Sequence, residues 1–181
     1  MKYYEDVLSK EMLDRIQFDI RKQVPKYRWS SNIPWQQELK LGVSGISIQS
    51  RVGEELHNDI LKEIQHFLPE AVEYVLMYNI WPPNSGISVH DDANKIFGAT
   101  IYLNDEWDVN EGGIFLYKTG EHRDAEWSAI VPKHNAMVLN DSNELHLVTQ
   151  ISPLSKDLRI TIQVWGNDHK VWEGDDKPWL N

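Results

Sequence analysis

After Pro69 the chain changes texture, and that change restricts the fold more than any other feature. Stretches of β-favouring residues end roughly every ten positions in a cluster of turn formers. The stretches cover 71–81, 86–91, 96–104, 113–119, 125–131, 135–140, 145–151 and 157–165. The turns between them read "PPNSG", "DDANK", "NEGG", "KTGEH", "PKHN", "NDSNE" and "SPLSK". About eight strands in under a hundred residues, joined by such turns, are expected to be antiparallel. Such a run predicts a sandwich or a double-stranded β-helix, the jelly roll or cupin-like arrangement. Upstream, Leu8, Met12, Leu13, Ile16 and Ile20 recur at helical spacing, with Ser9 placed to cap. Leu56, Ile60, Leu61, Ile64, Phe67 and Leu68 form a second stripe, stopped by Pro69. The segment between them reads as loop and short strands. The expected fold is a mainly β core with α-helical support, the N-terminal helices packed on one sheet.

The last strand separates the two candidates. In "DLRITIQVW", Leu158, Ile160, Ile162 and Val164 share one face, and Arg159, Thr161, Gln163 and Trp165 the other. A simple sandwich would turn the polar face to solvent. A barrel roofed by helices puts the apolar face outside, beneath them, and lets the polar face line a cavity. Arg159 would then sit in a pocket, where an anion could satisfy it. The plainer reading of Arg159 is a surface ion pair with Asp157.

Length favours one domain over 1–181: a helical support region at 1–70, the β-helix core at 71–166 and a C-terminal tail at 167–181. The tail is acidic, with Trp172 and Trp179, and could dock on the barrel, join a dimer or stay loose. No run of about 18 apolar residues is present, so no membrane span is expected. The N-terminus lacks the apolar stretch of a signal peptide, which makes the cytoplasm the expected location. The net charge of −10 argues against broad contact with a nucleic-acid backbone. Cysteine is absent, so any metal must be held by His, Asp or Glu.

Three His-x-Asp pairs occur. His57 and Asp59 lie in the second helix, where positions two apart face nearly opposite ways. His122 and Asp124 lie in a polar hairpin and read as surface, as do His66, His134 and His169. His90 and Asp92 close a strand, and on an extended chain they point the same way. A third ligand is available in His146, on a strand near the end of the set. Two histidines and a carboxylate on one side of a metal suit non-haem Fe(II), which needs open positions. Zinc hydrolases use the same donors, so the triad alone does not name the metal. A nearby Arg159 favours iron with 2-oxoglutarate, whose distal carboxylate a guanidinium can pair.

Four ordered segments carry a family resemblance. "YNIWPPNSGISVHDD", "GATIYLNDEWDVNEGGIFLY", "VPKHNAMVLNDSNELHLVTQI" and "LRITIQVW" resemble the Fe(II)/2-oxoglutarate-dependent dioxygenases in their prolyl 4-hydroxylase-like branch. The resemblance implies a hydroxylase that releases succinate and CO2. It implies Fe(II) on His90, Asp92 and His146, and 2-oxoglutarate held by Arg159 and Tyr102. It also implies O2 as co-reactant and ascorbate as an accessory of the branch. A carboxylate at Asp92 fits hydroxylation, since related halogenases have Ala or Gly there. The substrate implied is a peptidyl proline; the alternatives are a free amino acid or other small molecule, or a non-catalytic jelly-roll binding module. Two positions depart from the branch. Trp81 stands where a tyrosine near the substrate is usual, and Asn140 where an apolar residue is commoner. Trp29, Trp35, Trp107 and Trp127 are candidates for a substrate rim or for packing.

Overall fold

The computed structural model describes residues 1–23, 30–31, 47–119 and 126–170. Trp29, Trp35, His122, Asp124, Trp172 and Trp179 lie outside the described residues. The elements run β1 (Lys2–Tyr4), α1 (Lys10–Gln23), β2 (Ser30–Ser31), β3 (Ile48–Arg51) and α2 (Glu54–Ile64). They continue with β4 (Glu73–Trp81), β5 (Ile87–His90), β6 (Phe97–Tyr102), β7 (Phe115–Lys118) and β8 (Trp127–Ile130). The last three are β9 (Met137–Asn140), β10 (His146–Val148) and β11 (Arg159–Asn167). All eight strands expected after Pro69 are present, most with shorter ends. One sheet has the order β1-β9-β6-β11-β4-β3-β2 and the other β5-β10-β7-β8, every pair antiparallel.

Both helices form where the stripes put them. Ser9 Oγ accepts the Met12 amide at 3.1 Å, the cap expected of it. Glu63 of α2 accepts both the amide and the hydroxyl of Ser9, which ties the two helices together. The second stripe outlasts its α-helix: Gln65–Phe67 tightens into a 3-10 turn, while Phe67 and Leu68 still pack on the core. The strand β1 has no sequence signature. Three residues carry no periodicity, and their extended form comes from pairing with β9.

Met12, Ile16, Leu56, Ile60 and Ile64 from the helices share one cluster with Leu76, Ile101, Leu139, Ile162 and Val164 from the large sheet. The apolar face of β11 is therefore outside the barrel and under the helices. A smaller cluster lies between the sheets and joins Tyr102, Ala136 and Val138 to Phe115 and Val148. Among the described residues no helix is long and apolar enough to cross a membrane.

Candidate metal centre and cosubstrate pocket

The small sheet brings two histidines together. His146 on β10 pairs directly with His90 at the end of β5, and their ring centroids are 4.2 Å apart. Asp92 is already past the strand. Its convergence comes from the turn after β5, closed by the Lys95 amide on the Asp92 carbonyl at 2.8 Å. Strand alternation alone, the basis of the sequence expectation, does not place it. Donor atoms of His90, Asp92 and His146 all lie within 4.8 Å of one another. His146 Nε2 stands 3.6 Å from Asp92 Oδ2, too long for a hydrogen bond and short enough for two ligands of one ion. Asp91 turns away and accepts the Ala93 amide.

Both rings are held so that Nε2 could meet a metal. His90 Nδ1 lies 2.8 Å from the Ser88 carbonyl and His146 Nδ1 2.9 Å from the Glu144 carbonyl. A carbonyl can only accept, so each contact calls for a proton on Nδ1, and a ring that is neutral then keeps its lone pair on Nε2. Burial first, and the neighbouring His146 second, push the His90 imidazole below its ordinary range. Phe115 stacks on His146 at 5.1 Å and fixes its plane. Asn140 explains its departure from an apolar residue. Its Oδ1 accepts the Glu144 amide at 3.0 Å and its Nδ2 reaches the Glu144 carbonyl at 3.1 Å. That clasp holds the carbonyl that orients His146.

Gly98 leaves the space that Asp92 fills. A Cβ at this strand position would stand 2.5 Å from Asp92 Oδ2. No sequence rule flagged it, because a lone glycine inside a strand reads as a weakness or a bulge.

The second half of the site is on the large sheet. Arg159 is only 1 % exposed, so the alternative of a surface pair with Asp157 does not hold. Its guanidinium lies 5.2 Å from the Tyr102 ring and 5.5 Å from the Trp81 ring. Nε and Nη1 are buried without a hydrogen-bond partner, and so is the Tyr102 hydroxyl. The two groups favour each other electrostatically without reaching hydrogen-bond geometry. Burial holds Arg159 below its usual range and pushes Tyr102 up to about 12. Gly113, at φ +64°, sits where a Cβ would be 2.8 Å from Arg159 Cδ, so the second glycine of "EGG" makes room for the arginine stem. Trp81 pairs with Arg159 across the ladder. That places it at the arginine end of the barrel.

Directly paired residues of an antiparallel ladder project from one face. The inner face of the large sheet is therefore layered. Trp81 and Arg159 form its floor, with Asn79, Thr161 and Tyr102 above them, all buried. Asn79 Oδ1 is another buried acceptor without a partner. Sequence reasoning put Thr161 on the polar face of β11 but gave it no role; Asn79 and Gly98 were missed.

The remaining histidines stay apart. His57 Nε2 is 3.0 Å from the Tyr74 carbonyl, while Asp59 pairs with Arg15 and Lys62. His66 and His169 are exposed. His134 is half-buried, its Nδ1 3.2 Å from the Asn104 carbonyl, so it is anchored more than a surface histidine would be. Trp107 donates to the Gly112 carbonyl and braces the glycine turn; Trp127 is 44 % exposed.

A two-sheet jelly roll with two histidines and a carboxylate converging inside it defines a class, the mononuclear metal enzymes of the double-stranded β-helix fold. The sequence fixes the family within that class. A profile of the 2OG-Fe(II) oxygenase superfamily matches residues 76–167. The chain belongs to that superfamily of dioxygenases, whose cofactors are Fe(II), 2-oxoglutarate and O2. No curated protein matches the sequence. Among solved structures, a Pseudomonas putida prolyl-4-hydroxylase is 14 % identical, covering 92 % of this chain and 91 % of its own, with a TM-score of 0.66. A Trichoplax adhaerens prolyl hydroxylase, bound to a fragment of the hypoxia inducible factor oxygen degradation domain, is 13 % identical over 92 % of this chain and 83 % of its own, at 0.67. SnoK, a non-haem α-ketoglutarate-dependent carbocyclase of nogalamycin biosynthesis, is 15 % identical over 91 % and 78 %, at 0.67. These likenesses are of fold.

Proposed function

We propose that the protein hydroxylates an unactivated C–H bond, with His90, Asp92 and His146 holding Fe(II) and Arg159 and Tyr102 holding 2-oxoglutarate. The observation that carries the reading is Arg159, buried on the inner face of the sheet with hydrogen-bond donors unused. A buried guanidinium is costly unless an anion meets it. A hydrolase using the same three metal ligands has no need of it. Thr161, on the same buried face and directly opposite Tyr102, is positioned to add a hydroxyl to the same carboxylate.

The donor set fits the metal. Two imidazoles and one carboxylate leave open positions on an Fe(II) ion, and each ring already turns its Nδ1 to a backbone carbonyl, leaving Nε2 for the metal. With iron, 2-oxoglutarate and O2 bound, the site supplies an oxidant that places one oxygen on the substrate carbon and the other in succinate, with loss of CO2. The protein's own work is to fix the ligand geometry and orient the cosubstrate from its distal end. It also brings the target bond beside the metal. Ascorbate and a cytoplasmic location belong to this proposal and rest on the resemblance and the composition.

A prolyl residue in a peptide is the first substrate class to test, supported by the fold likeness to two prolyl hydroxylases. Mass spectrometry of proline-containing peptides, incubated with enzyme, Fe(II), 2-oxoglutarate and O2, should show a gain of one oxygen on proline. Turnover confined to free amino acids or other small molecules removes the peptide reading and leaves the oxygenase reading intact. Failure of the protein to bind Fe(II) or Mn(II) together with 2-oxoglutarate removes both.

A further inference from the structure

One layer above Thr161, the inner face changes character. Arg51 pairs with Met77, Met77 with Gln163 and Gln163 with Thr100, so these four residues make a single row across β3, β4, β11 and β6. The rows below are closed around the buried residues Arg159, Thr161, Tyr102 and Asn79. Here Arg51, Met77 and Gln163 are each half-buried, so solvent reaches this row of the large sheet as it does not reach the rows below.

The row has a definite polarity. Thr100 donates its hydroxyl to Gln163 Oε1 at 2.7 Å. That bond takes up the acceptor end of the amide and leaves the Nε2 hydrogens as its free chemistry. Gln163 Nε2 also points toward the metal side: it lies 3.6 Å from where a Gly98 Cβ would be, a point 2.5 Å from Asp92 Oδ2. At the other end stands Arg51, two strand spacings or about 10 Å from Gln163 between backbones. It already has a partner in the chain, so an added anion would share it. Between the two donors lies the apolar, adaptable Met77. The row thus presents donors, a short apolar step and a cation, with its near end beside Asp92.

We propose that this row is the substrate subsite, and that the substrate carries a carboxylate held by Arg51 and Gln163 while its target carbon lies toward His90, Asp92 and His146. The inference rests on the oxygenase reading above and adds the chemical class of the substrate. The carboxylate has two sources: the α-carboxylate of a free amino acid, or an acidic side chain beside the target residue in a peptide.

The test uses the full chain loaded with Mn(II) and 2-oxoglutarate, so that binding is read without turnover. One arm titrates free L-amino acids against their primary amides. The other titrates N-acetyl-prolyl-glutamate amide against its glutamine counterpart. At least one carboxylate probe should bind tenfold or more tightly than its neutral partner, as expected for a charge-assisted contact. Arg51→Ala should reduce that preference to within about threefold, Arg51→Lys should restore part of it, and Gln163→Leu should also weaken it. The arm that shows the preference identifies the source. Binding of 2-oxoglutarate reports an intact barrel in each variant. With 2-oxoglutarate bound, equal affinity within every pair, no binding by any carboxylate probe, or a preference that survives Arg51→Ala each overturns the inference while sparing the oxygenase reading. Failure to bind Mn(II) and 2-oxoglutarate at all removes the reading beneath it.

Discussion

Gly98→Ala isolates the metal centre from the fold. The new methyl would stand 2.5 Å from Asp92 Oδ2, and the carboxylate has to retreat by about 0.9 Å to reach an ordinary contact at 3.4 Å. Metal–ligand distances tolerate only about 0.2 Å. Asp92 cannot follow as a rigid unit, because its own carbonyl is fixed by the Lys95 amide. The strand loses nothing by the change, since alanine suits a strand interior at least as well as glycine. The variant should therefore keep its thermal stability and lose metal affinity by roughly tenfold to a hundredfold, about 1.4–2.8 kcal/mol. Calorimetric titration with Mn(II) reads the affinity, and circular dichroism on heating reads the fold. Affinity within twofold of wild type, at unchanged stability, would refute the idea that Gly98 makes the space for Asp92.

Asn140→Leu removes both hydrogen bonds to Glu144, leaving its half-buried amide without that partner and its carbonyl held by His146 alone. It should cost about 1–3 kcal/mol in denaturant unfolding and lower Mn(II) affinity about tenfold; a stability loss with full affinity would mean that the clasp does not orient His146. Gly113→Ala, at a left-handed φ and 2.8 Å from the Arg159 stem, should weaken 2-oxoglutarate binding and spare Mn(II), which paired titrations would separate. The metal-free protein should become more stable as pH rises toward about 6.5. The sign follows from His90: its folded value is lowered, so the folded chain binds fewer protons than the unfolded one below that pH. Unfolding curves from roughly pH 5 to 7.5 should show the slope, and His90→Asn should flatten it.

What could be read from the sequence was whatever repeats. Eight strands were visible because the turn chemistry recurs, and the inverted β11 because alternation persists through "LRITIQVW". His90, Asp92 and His146 were visible as residue types, although Asp92 arrives by a turn and not by strand alternation. The rest depends on register between distant strands, which no local pattern encodes. Gly98 matters because a loop several residues earlier folds over it. Asn140 matters because of a carbonyl four residues on, and Trp81 because β4 pairs with β11 so as to set the indole beside Arg159. Arg51 joins Gln163 only through Met77, across three strands.

Arg159 also makes a prediction about the fold. Two of its nitrogens and the neighbouring Tyr102 hydroxyl are buried without hydrogen bonds, so the ligand-free protein carries a guanidinium that only two aromatic rings offset. Replacing such a group with an apolar side chain of similar reach is often neutral or stabilising. Arg159→Leu should then unfold within about 1 kcal/mol of wild type, or later, when no cosubstrate is present. Wild type with Mn(II) and 2-oxoglutarate at a hundred times its dissociation constant should gain about 2.7 kcal/mol. For a chain of this size that is roughly 5–11 °C in Tm. The variant should show no such shift with 2-oxoglutarate and should keep any shift produced by Mn(II) alone, because Arg159 is not among the metal donors. A ligand-free Arg159→Leu that is destabilised by about 3 kcal/mol or more would mean that the guanidinium is satisfied inside the barrel. In that case its burial would no longer argue for an anion, and the strongest support for the 2-oxoglutarate site would be gone.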